Sequence, residues 1–404
     1  MDHAEIGERL GKIRRRRGMS LDTAAGLAGI SKAYWSMLEN GKRRFERRGL
    51  LEDLAGALGC AVSDLTGQPY LPGDRLSAEA IATLPPISVA LFDSTLDDVP
   101  EDIRVRPVGE LARLAARANA ASADSRYGLA GHALGDLLTE LHVHAVTGNA
   151  DTRQAALRAL TEACIVAIGT ARTLGNNDLA AIAARRAQDA AARLEDPALG
   201  GFAAMSASVV LGRMGARYRA QRVTRLALES VSGADPDASD TAPAEAAGML
   251  HLASAQLAAK DQNVDAADTH IGVAAELAAR TGERSTLRYD FGPANVQAWS
   301  LSLAVELGIG PERAEQITRV ENYDAGLRSA ERKAALHFDL ARAFIQAGGA
   351  RDADAIRHLD LADRVAPLRV RHDPIAREVV AELDVRARRR AWELDSLKSR
   401  LQVS

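Results

Sequence analysis

An all-α fold is what this sequence predicts, and three observations carry the prediction. Alanine, the strongest intrinsic helix former, accounts for 80 of 404 residues. Aromatic residues, which strands favour, make up only 4%. Apolar residues recur at three- and four-residue spacings along most of the chain, while sustained two-residue alternation is almost absent.

The length suggests two or three domains. Basic and acidic residues nearly cancel, 51 against 54. No run reaches the ~18 apolar residues that would span a bilayer, so no membrane partner is expected. The opening MDHAEIGERL lacks the basic-then-apolar pattern of a secretory leader, which makes the cytoplasm the default compartment. Cys60 and Cys164 are too few for a disulfide framework or a thiolate zinc site and read as small buried hydrophobes.

The elements follow in chain order. Ile6, Leu10 and Ile13 mark one face of a first helix that stops near Gly18. Ser20 can cap a short second helix over about 21–28, and Gly29 supplies a tight turn with Ile30 as a buried plug. Ser31 caps a third helix, SKAYWSMLEN, ended by Gly41, and a fourth buries Leu50, Leu54 and Leu58. Small residues (Ala24, Ala25, Ala28) sit where the second and third helices would cross, as in a helix-turn-helix. Charge concentrates in the same stretch. Twelve basic residues lie between Arg9 and Arg48, opposed only by Asp22, Glu39 and Glu46, so a compact basic segment precedes a body with an acidic excess. That asymmetry suits a polyanion-binding head, and raises the idea that the head is held against the acidic body.

The run IGERLGKIRRRRGMS…LAGISKAYWSMLENGKRR…LLEDLAGALG…DL resembles the XRE, lambda-repressor/Cro-like DNA-binding domain over about 60 residues. The resemblance implies double-stranded DNA as partner and a third helix entering the major groove, with Ser31, Lys32, Ala33 and Ser36 near base edges. Tyr34 and Trp35 would each pack with one face and reach a strand with the other; Met37 and Leu38 would be core. Lys42, Arg43, Arg44 and some of Arg14 to Arg17, Arg17 in particular, would neutralise phosphates. Arg14 and Glu39 match a pair that bridges the first and third helices. Two positions depart from the family pattern: Leu21 stands where Gln often holds a phosphate, and Gly11 where a second Arg is common. With Lys32 the only long donor in the reading set, specificity leans on backbone positioning and DNA shape.

Thr66 to Asp74 (TGQPYLPGD) breaks the helical pattern and reads as a linker, followed by a helix from about Ser77 interrupted at Pro85-Pro86. From about 107 amphipathic helices alternate with breaks such as Gly148-Asn149, Gly175-Asn176-Asn177, Gly200-Gly201, Gly348-Gly349 and Pro367, and 232–243 reads as a mobile loop. Residues 333–367 fit a tetratricopeptide unit through Leu340, Ala341, Phe344, Ala355, Leu359 and Ala362. A weaker unit covers 248–281 through Ala255, Ala267, Ile271 and Ala274. The expected organisation is a helix-turn-helix domain (1–68), a linker with a connecting helix (69–106) and a TPR-like α-solenoid (107–404). It resembles XRE regulators with tetratricopeptide-like C-terminal domains.

FGPANVQAW (291–299) stands out in an aromatic-poor body. With Arg288 and Tyr289, the residues Phe291, Asn295 and Trp299 form a candidate patch for a peptide or small-molecule effector, with aromatic packing between repeats as the alternative. His142 and His144, two apart on a helix, point away from each other and make no metal pair. No Walker loop, HExxH, dinucleotide fingerprint or nucleophile context occurs, so neither an enzyme nor a cofactor is expected. The reading is a homodimeric, sequence-specific transcription regulator; the alternative is an interaction scaffold with a DNA-localising head.

Overall fold

The computed structural model describes residues 4–101, 103–286, 289–387 and 391–403. Among these, every regular element is helical, apart from one isolated bridge between Arg284 and Phe291. The N-terminal five helices are α1 (Ala4–Arg16), α2 (Leu21–Leu27), α3 (Lys32–Glu39), α4 (Arg48–Leu58) and α5 (Val62–Thr66). Ser20 and Ser31 cap α2 and α3, their hydroxyls accepting from the backbone N–H of Thr23 (3.0 Å) and Tyr34 (3.1 Å). Gly29, at φ +68°, makes the turn between them. Leu10, Trp35, Leu38, Leu54, Leu58 and Leu65 are fully buried between these helices.

Two helices follow, α6 (Arg75–Ile81) and α7 (Leu84–Asp93), with Pro85 and Pro86 in the first turn of α7, where a missing N–H costs nothing. The stretch Arg75–Asp93 reaches the length and apolarity of a spanning helix, but it is broken between the two helices and partly packed in the core. Next come α8 (Val108–Ala123), α9 (Tyr127–Gly131) and α10 (Leu134–Thr147). Five helix pairs succeed one another: α11 (Ala150–Thr173) with α12 (Asn177–Ala192), α13 (Pro197–Arg213) with α14 (Arg217–Ser230), α15 (Ala242–Lys260) with α16 (Val264–Thr281), α17 (Pro293–Leu307) with α18 (Gly310–Thr318), and α19 (Ala330–Gln346) with α20 (Asp352–Val365). The chain closes with α21 (Pro367–Arg371), α22 (Pro374–Arg386) and α23 (Trp392–Leu401).

Local chemistry explains the pairs. Asn149, Asn176, Asp196 and Asn263 accept from the N–H three residues on, capping α11, α12, α13 and α16. Alanines at the crossings (Ala183, Ala187, Ala255, Ala267, Ala274) are fully buried and let axes approach closely. The pairs stack first helix on first helix, α11 on α13 on α15 on α17 on α19, and α8 touches both α11 and α19, so the row curls until its ends meet. It lines a half-open cavity of about 470 Å³.

Residues 333–367 fall on the α19–α20 pair, with Leu340, Ala341, Phe344, Ala355, Leu359 and Ala362 all buried, and 248–281 on the α15–α16 pair. The body is a generic solenoid of helix pairs. Gly200-Gly201 is not a break but lies inside α13: a Cβ at Gly201 would stand 3.2 Å from that of Ala246, so glycine here permits helix contact. Segment 232–243 forms surface turns that run into α15 at Ala242, with Arg280 pairing to Asp237 through side chains that are both more than half exposed. The expected linker is a fixed strap. Gln68 Nε2 donates to His372 O (2.8 Å), the Tyr70 ring is buried beneath Arg377 (3.6 Å), and Asp74 pairs with Arg371 (2.6 Å).

The head is docked on the body by the loop before α4 and by α4 itself. Glu306 on α17 accepts from the backbone N–H of Arg48 and Gly49, both at 3.2 Å, capping a helix whose own N-cap residue, Arg47, supplies no side-chain bond. The same carboxylate takes 2.8 Å from Arg342, whose guanidinium also donates to Glu46 O. Arg44 pairs with Glu382 (3.0 Å), Arg48 with Asp373, and Glu52 with Arg217 and Lys260. Burial alone would push the Glu306 carboxyl upward; Arg342 and Lys260 hold it below its ordinary value. Truncating one partner of a buried pair costs about 3–5 kcal/mol, so Glu306→Ala should lower stability by that order and expose the 66–74 strap to protease, read by denaturant unfolding and limited proteolysis.

Four histidines are held neutral by burial. His142 Nδ1 faces Leu138 O (2.7 Å), His372 Nε2 faces Ser77 Oγ (3.1 Å), and His251 and His358 share hydrogen bonds with His270 and His337. Desolvation lowers His142, His251, His358 and His372 to about 4. The unfolded chain, with histidines near ~6.5, therefore binds more protons between those values, and stability must fall as pH drops through that window. Glu378, raised to about 7 by burial, and Glu46 and Asp53, also raised by burial, work in the opposite sense, against six lowered histidines once His270 and His337 are included. Denaturant unfolding at pH 7 and pH 5 should show a net loss on the order of several kcal/mol on acidification; equal or greater stability at pH 5 would contradict the histidine assignment.

Candidate nucleic-acid interface

The third helix is positioned by the core beneath it. Trp35 and Leu38 are fully buried, and Trp35 Nε1 donates to Glu39 Oε1 (2.6 Å). Arg14 clamps the same carboxylate with Nε at 2.6 Å and Nη2 at 3.0 Å, and its Nη1 reaches Met19 O (2.8 Å). Burial would raise the Glu39 pKa, but the bonds from Arg14 and Trp35 keep it below the usual carboxylate range. The Arg14–Glu39 pair thus locks α3 to α1, the structural role the sequence suggested.

With that face fixed, the opposite one is open. Ser31, Lys32 and Ala33 are exposed, and Tyr34 and Ser36 are half-buried beside them. Lys32 pairs with Asp22 at 2.8 Å, but both side chains are more than half exposed, so the bond contributes little and either can exchange partners. Ser36 Oγ lies 3.4 Å from Asn40 Nδ2. Lys42 and Arg43 are exposed just past α3, and Arg17, on the α1 side, donates to Gly59 O at 2.6 Å while staying exposed. α3 packs chiefly on α1 and α2. The body holds the head from the α4 side.

Three expectations change. Arg44 is not available as a phosphate ligand in this arrangement, because Glu382 takes it into a largely buried pair. Trp35 is wholly core and presents no face to a strand. Met37 is half-buried rather than core. The residues the sequence did not single out, Glu306, Arg342 and Asp373, belong to the docking surface; they are separated from the head by about 260 residues or more and leave no local signal.

The candidate effector patch divides. Arg288 lies outside the described residues. Phe291 is fully buried against Gly248, where any Cβ would strike its ring, and Asn295 is buried, accepting from Arg332 Nε (2.8 Å) and donating to Asp290 O. Both are structural. Tyr289 and Trp299 do line the interior cavity, Tyr289 edge-on to Phe202 and Trp299 beneath Arg332. The cavity residues missed by sequence reading are Arg172, Arg213, Arg332 and Arg369, brought together from four helices around Glu331. Arg213 alone left a trace: it is the only charged residue on an otherwise apolar α13.

His142 and His144 make separate backbone contacts, with Leu138 O and Arg106 O, and no group of three or more metal-ligating residues occurs among the described residues.

Residues 5–66 match the family described as a helix-turn-helix domain. No curated protein and no solved structure matches the chain. An XRE-type helix-turn-helix domain is therefore present at the N-terminus, followed by an all-helical body. Hydrogen bonds between charged groups removed one-sidedly cost ~1.5–3 kcal/mol, so Arg14→Met should destabilise the head by that order and weaken every DNA interaction in parallel. Denaturation followed by fluorescence of Trp35, in a background with Trp299 and Trp392 replaced by Phe, reads this.

Proposed function

We propose that the protein is a sequence-specific, DNA-binding transcription regulator of the cytoplasm, acting as a homodimer whose helical body senses a small effector. The observation that carries the reading is the open leading edge of α3, Ser31 to Ser36, flanked by exposed Lys42 and Arg43 while the rest of the head is anchored. A helix presented in this way fits the major groove, where its first turns reach base edges. One head covers one half-site, and two heads about one helical turn apart would give the affinity that a single short helix lacks.

The chemistry of the edge favours positioning over a strong base code. Lys32 is the one long donor on it; Ser31 and Ser36 offer short hydroxyls, and Ala33 a methyl suited to thymine. Lys42, Arg43 and Arg17 supply sequence-independent grip on phosphates. Arg44 is spent on the body, so phosphate contacts fall to the remaining cations.

The test is binding of the full chain to genomic fragments, followed by footprinting of the sites recovered. A regulator should favour its site over random DNA by ~10³ or more, with affinity falling steeply as salt rises. Lys42→Ala and Arg43→Ala should weaken all sequences alike and flatten the salt slope by about one unit each, while Lys32→Ala and Ser36→Ala should alter preference among sequences. Weak, sequence-indifferent binding throughout would instead make the chain an interaction scaffold with a DNA-localising head.

A further inference from the structure

The interior cavity is lined by the first helices of the stacked pairs and by α8, and its charge is not balanced. Arg369 pairs with Glu331, and Arg332, Arg172 and Arg213 act on that same single carboxylate. The other acids at the cavity are engaged: Asp339 holds Arg342, Asp290 accepts from the Ser329 N–H (3.2 Å), and Asp373 holds Arg48. Among the described residues neither Arg172 nor Arg213 has a hydrogen-bond or ion-pair partner.

Donors dominate the loose polar groups facing the cavity, beside the Asn119 amide and the Ser122 hydroxyl, which can also accept. Trp299 Nε1 and Arg369 Nε are buried N–H donors without an acceptor, and the two unpartnered guanidinium groups are donors only. Beside them lie apolar surfaces from Ile165, Phe202, Met205 and Tyr289. Unpaired buried donors are costly, and Arg172 and Arg213, half-buried at the cavity wall, are left without a counter-ion there. Burial, with Arg48 and Arg172 nearby, drives the Arg213 guanidinium well below its ordinary value despite Asp373. A cavity of about 470 Å³ is ample for a small organic molecule.

We propose that this cavity is a binding site for a small amphipathic oxyanion, an acid with an aromatic or aliphatic body, whose anionic group is taken by Arg172 and Arg213 and whose apolar part lies against Phe202, Tyr289 and Trp299. The cavity wall includes Arg48, the first residue of α4 in the DNA-binding head. An anion drawn in beside it competes with Asp373 for Arg48, so occupancy bears directly on head docking. That regulatory use rests on the reading of the chain as a regulator; the site itself does not.

The experiment titrates the full chain, without DNA, with 8-anilinonaphthalene-1-sulfonate and in parallel with N-phenyl-1-naphthylamine, which carries the same rings and no charge. Saturable binding of the sulfonate at one site is expected. Arg213→Met and Arg172→Met should each weaken it by about tenfold or more, leaving the uncharged amine within about twofold. Arg213→Met should also raise the unliganded melting temperature, because it removes an uncompensated charge. Competition by decanoate against hexyl phosphate tells a carboxylate ligand from a phosphate ester. If Arg213→Met does not fold, Arg172→Met and Arg213→Lys carry the same comparison. Sulfonate and amine binding equally, or the arginine variants binding the sulfonate as the parent does, would overturn the proposal. Because no DNA is present, that failure is distinct from a failure of operator binding, which would leave the site standing.

Discussion

Glu306 is the group on which the arrangement of this molecule turns. It is a fully buried carboxylate on α17, and everything it needs to stay charged comes from elsewhere in sequence: Arg342 on α19, and the first two free N–H groups of α4 in the head. A helix N-terminus carries partial positive charge and donors that want acceptors, so a foreign carboxylate there is favourable on both counts. The consequence is geometrical. A helix capped by a residue of another domain cannot swing without uncapping, and uncapping would take from the carboxylate both N–H donors of α4 and from Arg342 its acceptor at Glu46 O. The Pro/Gly-rich segment that joins head and body, flexible by composition, is thereby left with no hinge to serve and lies flat along α21 and α22.

That docking decides which face of the head remains free. Residues 44 to 53 are consumed by the body through Arg44, Arg48, Glu52 and Asp53. The helix that carries the exposed serine cap and Lys32 is on another side, held to α1 by Arg14 and Glu39. The docking ion pairs run in both senses, Arg44 and Arg48 of the head to Glu382 and Asp373, and Glu52 and Asp53 of the head to Arg217 and Lys260, so specific pairing rather than net charge anchors the head, through the α4 side. Anchoring and reading use different cations of the same basic cluster.

Legibility from sequence followed the range of the interactions. Caps and turns are local, so Ser20, Ser31, Gly29, Asn149 and Asn176 could be placed from their neighbours alone. The Arg14–Glu39 bridge was reachable through a family resemblance covering about 60 residues. Gly200-Gly201 misled because glycine has two uses, ending a helix or letting another backbone close in, and only the partner, Ala246 on α15, distinguishes them. The strap misled for the same reason: nothing in TGQPYLPGD announces that Tyr70 finds Arg377 more than 300 residues away. The cavity was the least legible feature. Its four arginines come from four different helices and look, one at a time, like solvated charges; FGPANVQAW drew attention because it is aromatic, yet only Trp299 of its residues, with neighbouring Tyr289, faces the interior.

The two electrostatic centres of the molecule differ in a way that bears on their roles. At the docking surface most buried charges meet their opposites, Glu306 with Arg342, Asp373 with Arg48, Glu52 with Arg217 and Lys260, while Glu378, buried beside Arg44 and Phe45, is raised to about 7 instead. In the cavity wall cations outnumber carboxylates: Arg48, Arg172, Arg213, Lys260, Arg332 and Arg369 stand against Asp290, Glu331 and Asp339, and Arg172 and Arg213 have no ion-pair partner among the described residues. Structure alone gains nothing from such a mismatch, since methionine or leucine would fill the same space without the desolvation penalty. Arg48 belongs to both centres at once, a residue of the head that pairs with Asp373 on one side and faces the cavity on the other. A change in the charge of the cavity therefore has a direct mechanical address: it alters the competition for a single guanidinium at the first turn of the helix by which the head is held.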